Sequence, residues 1–261
     1  MKLLALEFPP ISHIVEWPAF GWSPEGIFAI NKVVFLGFLS VALTLLIFGI
    51  AASKAQLVPT GVQSVAELSV EFVRDQVVLQ TMGEEGLHKK WVMPLLMALF
   101  WFILFNNVWG IIPAAQMPVN ARMAMPAFLA LLVWVVYNVA GVANQGLGGY
   151  LKSNLFPPGV PTALYILVTP IEFVSNFLVR PFSLAVRLFA NLLAGHILLV
   201  TFAVLTSALI GASGFLKVIF PLPFVVLIGL TAFEILVIFL QAYIFTILTA
   251  VYIGGAMHPE H

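Results

Sequence analysis

The chain has 261 residues, 62% of them hydrophobic and only 8% charged, with 23 Phe, 6 Trp, no Cys and zero net charge. Soluble domains run near 45–50% apolar and about 25% charged, so this composition is that of a membrane protein. The missing cysteines exclude disulfides and thiolate metal sites, and the balanced charge gives no basic patch for nucleic acid.

Residues 1–26 mix Glu7, Glu16 and Glu25 with prolines and Trp17, and read as an extramembrane segment with aromatic residues near an interface. No cleavable signal peptide is evident, because Glu7, Pro9 and Pro10 interrupt any apolar core near Met1. Residues 27–52 form the first span. Residues 53–90 are the most charged stretch and read as a cytoplasmic loop, with an amphipathic surface helix over Leu68–Val78. The core follows over 91–256. Spans are expected near 91–112, closed by Pro113, and near 123–142, before a Gly-rich connector from Gly141 to Gly149.

The last hundred residues differ. A further span is expected near 164–178, but it carries Pro170, Glu172, Ser175 and Asn176 and is too polar to be exposed to lipid. Residues 182–210 and 224–253 are long apolar runs without an internal proline. At 1.5 Å per residue each spans roughly 45 Å, against a hydrocarbon core near 30 Å. They therefore lean steeply or run past the boundary. The Gly211–Gly214 break with Pro221 and Pro223 makes them an antiparallel hairpin. The fold class expected is an all-α membrane protein of five to six helices. Lys54, Arg74, Lys89, Lys90 and Lys152 share one side and Lys2, Arg122 and Lys217 the other, which puts the N-terminus outside and the C-terminus inside.

The ionisable residues expected at membrane depth are Glu172, Arg187, His196 and Glu234, with Arg180 at a boundary; the first three spans carry only scattered amides such as Asn106, Asn107 and Asn138. A guanidinium does not discharge, and placing one in hydrocarbon costs at least about 2.5–3.5 kcal/mol. In an antiparallel hairpin, residues at equal depth have numbers of constant sum. Arg187 with Gln241 and His196 with Glu234 both centre on the Gly211–Gly214 break, so each pair is expected to lie level. At 100° per residue His196 faces away from Arg187, while Asn191 shares the Arg187 face. The residues alone leave plainer readings open: Arg187 snorkelling past Pro181, His196 as a neutral core imidazole, Glu234 in a structural ion pair, and Asn191 and Gln241 as interhelical glue.

Several runs carry a family signature: Pro-Ile-Glu172, Arg-Pro-Phe-Ser183, Arg187-Leu-Phe-Ala-Asn191, Ala-Gly-His196 and Gln241-Ala-Tyr-Ile-Phe-Thr-Ile-Leu-Thr. Together they resemble subunit a of the rotary F-type ATP synthase, of bacterial type, over roughly residues 91–256. The resemblance implies a stator proton channel whose last two helices, steeply tilted, face a rotating ring of small hairpin subunits, each with one buried carboxylate. It implies that Arg187 faces that carboxylate and that Asn191, Gln241, His196, Glu234 and Glu172 line a proton half-channel, with Ser183, Ser175 and Asn176 as supporting polar positions. Peripheral stalk subunits and membrane lipid are the other implied partners, the proton is the transported ion, and the place is the bacterial cell membrane. Many bacterial members carry Glu and His in the reverse order at 196 and 234. No cofactor, metal or nucleotide site is expected on the chain itself, which has no Walker sequence and no H-E-x-x-H; any nucleotide chemistry belongs to other subunits. A proton- or sodium-coupled secondary transporter is the alternative, although the two halves show no internal repeat.

Overall fold

The computed structural model describes residues 31–53, 56–112, 115, 118–156, 160–161, 164–212 and 215–257. The expected extramembrane segment 1–26 lies outside the described residues. Among the described residues there is no strand.

Helix α1 is Lys32–Ser53, capped at its start where Asn31 Oδ1 accepts the Val34 amide at 2.9 Å. The charged stretch is helical over more than the eleven residues expected. It comprises α2 (Val62–Val73), a π turn at Arg74–Val78 and α3 (Leu79–His88), bent at Gly83. Helix α4 is Val92–Val108, and a single 3₁₀ turn follows at Val119–Ala121.

Helix α5 runs from Ala124 to Leu155. The expected Gly141–Gly149 connector is therefore helical, broken only at Gly146, whose φ of 74° suits a residue without Cβ. That bend aims two side chains at the last turn of the final helix, α8 (Pro221–Met257). Asn144 donates to the Met257 carbonyl at 2.7 Å and Gln145 to that of Ala256 at 2.6 Å. Two carbonyls that a helix end leaves unpaired are thereby satisfied.

The largest departure from expectation concerns residues 164–210, read from sequence as two spans. They form one 47-residue helix, Tyr165–Gly211. It is built of α6 (Tyr165–Val174), a π turn at Ser175–Val179 and α7 (Arg180–Gly211). Pro181 does not stop it, for a local reason. In the π turn the Arg180 amide bonds back to the Ser175 carbonyl, five residues away. The next carbonyl, Asn176, would need the amide that proline lacks. It accepts the Tyr137 hydroxyl at 2.8 Å instead.

Helices α7 and α8 pair along their length, and α8 also packs on α4 and α5. Four helices, α1, α5, α6–α7 and α8, are long and apolar enough to cross a membrane, and α4 is a shorter apolar fifth. The core lies where α4, α5, α7 and α8 meet and includes Leu96, Ile103, Leu188, Leu192 and Phe245.

Candidate functional site

Three contacts set the register of the α7–α8 hairpin. At its open end, where α7 begins and α8 finishes, the Arg180 guanidinium sits 5.4 Å from the centre of the Tyr252 ring. Further along, Asn191 Nδ2 donates to Gln241 Oε1 at 2.9 Å. Nearer the turn, the Glu234 carboxyl lies over the backbone of Gly195. Residue numbers rise along α7 as they fall along α8, as an antiparallel pair requires. The contact expected at Arg187 is made by Asn191, one turn further on and on the same face. Glu234 meets Gly195, next to His196, and makes no bond to the imidazole.

Gly195 was not singled out by its sequence context. A Cβ built on it would stand 2.6 Å from the Glu234 carboxyl carbon. Only a residue without a side chain lets the carboxylate pass so close to the α7 backbone. Glu234 is 6% exposed and borders a cleft of about 470 Å³, lined also by Asn191, Gly195, Leu199, Leu230 and Phe233. It bonds to no other described residue.

Arg187 is exposed on the flank of the hairpin, as is Asn191. It sits near the midpoint of the 47-residue helix, roughly 33 Å from either end at 1.5 Å per residue. Snorkelling past Pro181 relied on a helix boundary that is absent here. No described residue hydrogen-bonds or ion-pairs with this guanidinium. Gln241, 2% exposed, faces inward, and its amide nitrogen has no partner among the described residues. His196 is buried on a stripe with Leu184, Leu188 and Leu192. Nine residues at 100° each turn it to the opposite side from Arg187.

Glu172 is not brought to this group. It lies on α6, beyond the π turn, roughly 28 Å along the helix from Asn191. There it accepts a bond from Asn176 Nδ2 at 3.1 Å, and the same amide donates to the Asn154 carbonyl at 3.1 Å. Tyr150 donates to Asn138 Oδ1 nearby, at 2.9 Å. Ser175 supplies its carbonyl to the π turn, and Ser183 is half-buried one turn before Arg187. Arg180, expected at a boundary, is committed to Tyr252.

The arrangement is a membrane-length hairpin with a permanent cation on its outer flank, a polar bridge beside it, and a carboxyl and an imidazole buried toward the turn. A fixed cation so placed can face an anion, and the buried carboxyl and imidazole can each hold a proton. Comparison with known proteins agrees in kind. The ATP synthase A chain family matches residues 34–254. ATP synthase subunit a of Rhodococcus erythropolis is 42% identical over 90% of this chain and 85% of its own length. The subunit a of Maricaulis maris is 41% identical over 96% of both chains, and that of Bradyrhizobium diazoefficiens 44% over 86% of this chain and 87% of its own. The chain belongs to the ATP synthase A chain family.

Proposed function

We propose that this protein is the proton-channel stator subunit of an F-type ATP synthase, with no catalytic site of its own. The observation that carries the reading is Arg187: a cation exposed near the middle of an apolar helix more than long enough to cross a membrane, and bonded to no described residue. In hydrocarbon such a charge needs an anionic partner, and a ring of small subunits presenting one buried carboxylate at a time supplies it.

Protons enter from the outer side, at the hairpin turn, and reach Glu234 through the cleft beside Asn191, with His196 as a second proton-holding group on the other side of α7. They neutralise a ring carboxylate, which then moves into lipid without a buried charge. After nearly a full turn the carboxylate meets Arg187. An opposite charge within about 4–6 Å lowers a carboxyl pKa by 1–3 units, so the proton is released. It leaves toward the open end of the hairpin. Arg187 bars a direct leak between the two paths because it cannot relay a proton. The Asn191–Gln241 bridge and Ser183 fix the surface on which the ring charge is received. Each proton crossing supplies about 2.3 kcal/mol per 100 mV. The complex sits in the bacterial cell membrane, with the N-terminus outside, the C-terminus inside and peripheral stalk subunits holding this chain against the ring.

Arg187→Ala in the assembled complex tests this directly. Synthesis should fall to background while vesicles become passively leaky to protons. Coupled synthesis at a normal rate in that variant would remove Arg187 from the mechanism.

A further inference from the structure

The cleft beside Glu234 is far larger than a proton or a single water needs. Its volume, about 470 Å³, falls within the range of about 300–1,000 Å³ that holds small organic ligands. Leu199, Leu230 and Phe233 supply apolar walls, and Gly195 lies beneath the carboxyl. Two polar side chains stand among them, Glu234 and Asn191. The Glu234 carboxyl is 6% exposed and bonds to no described residue. Asn191 gives its Nδ2 to Gln241, which leaves its Oδ1 to accept a further bond. Gly195 and Asn191 are four residues apart, so the two acceptors lie one turn apart on one side of α7.

Each feature narrows what fits. A carboxyl buried among apolar groups needs a proton or a positive partner. A bare inorganic cation would leave the leucine and phenylalanine walls uncovered. A peptide would bring backbone amides for which the walls offer no partner. An ammonium head on a hydrocarbon body meets both demands: the body covers Leu199, Leu230 and Phe233, and the head donates to Glu234 and Asn191. Arg187 stands one turn from Asn191 on the same face and repels further positive charge, which restricts the ligand to a single cation. Asn191 and Phe233 are exposed at the rim, so such a molecule can arrive sideways through hydrocarbon.

We infer that this cleft binds lipophilic monoammonium ions, which pair with Glu234 in place of a proton and so block proton uptake. The block rests on the proton-channel reading above; the binding follows from the cleft itself.

The test uses the assembled complex in liposomes and decylamine with a photoreactive diazirine at the far end of its chain. After illumination, mass spectrometry should find the label on Leu199, Leu230 or Phe233. Glu234→Gln should cut that labelling at least fivefold, and Gly195→Ala, which displaces the carboxyl, severalfold. Should Glu234→Gln fail to assemble, the Gly195→Ala comparison decides. The matching diazirine alcohol controls for the tail. Equal labelling by the alcohol means that an acyl chain fills the cleft, and overturns the inference. Label spread over the lipid-facing helices, or undiminished in the variants, overturns it too. In the dark, decylamine should slow potential-driven proton uptake at least fivefold at concentrations where decanol does not, with protein-free liposomes correcting for permeation of the amine. Cleft labelling without that slowing overturns the block, and with it the route of protons past Glu234. Absence of cleft labelling overturns the site and leaves the channel reading intact.

Discussion

The two ends of the α7–α8 hairpin treat polar groups in opposite ways. At the open end they are largely paired: Arg180 stacks on Tyr252, Tyr137 fills the Asn176 carbonyl, Asn176 bridges Glu172 and Asn154, and Tyr150 reaches Asn138. Toward the turn Glu234 and His196 are buried yet bonded to no described residue, and the Gln241 amide nitrogen has no partner among the described residues. Paired groups tie helices together and stay put. Groups left unpaired in an apolar bundle are held at a cost in stability, and are available to water and protons. Both ends of one hairpin therefore look polar in sequence but serve different ends.

The sharpest way to break this contrast is Glu234→Gln, which keeps volume and hydrogen bonding but cannot ionise. Synthesis should drop tenfold or more without the passive leak of Arg187→Ala, read as ATP formed under an imposed potential. A normal rate would place Glu234 with the structural groups. Gly195→Ala should have the next largest effect. The new methyl displaces the Glu234 carboxyl while leaving its chemistry intact, so proton uptake slows severalfold in the same assay and the helices stay folded. Equal rates for Ala and Gly there would mean that the carboxylate position is unimportant. Tyr137→Phe sharpens the other side. It strands the Asn176 carbonyl and should destabilise the chain by about 1–3 kcal/mol, seen as a lower unfolding midpoint in detergent. Proton conduction by the complexes that do assemble should change by less than twofold. Tyr252→Leu removes a ring from beneath Arg180 and should weaken the same end by about 0.5–2 kcal/mol.

Much of the site was legible in the chain itself. A single cation inside an apolar run, with Asn191 one turn on and Gln241 at matching depth across a hairpin, needs only helix geometry to interpret. The α1 and α4 spans follow from composition in the same way. What could not be read depended on contacts between distant segments. Pro181 signals a helix end to any local reading, and only the π turn together with Tyr137, 39 residues before the Asn176 carbonyl it fills, lets the helix pass through it. Once the helix is continuous, Glu172 falls at the far end from Asn191, which no local pattern around either residue states. The Gly141–Gly149 run looks like a linker because glycine is permissive; the caps that Asn144 and Gln145 provide to α8 keep it helical. Gly195 stands in the quoted Ala-Gly-His196 run, but its need for a bare Cα is invisible there, since it matters through the carboxyl that another helix places against it.

The wide turn at Ser175–Val179 acts as a setting on the compass of the whole hairpin. It holds one residue more than a regular coil of the same height, so everything after it points about 100° away from where it otherwise would. Excising one residue between 175 and 179 would leave composition and span length almost untouched while swinging the heading of Arg187 by that angle. On the proposed function, the chain would then keep every group it needs, with its fixed positive charge aimed away from the ring it is meant to face.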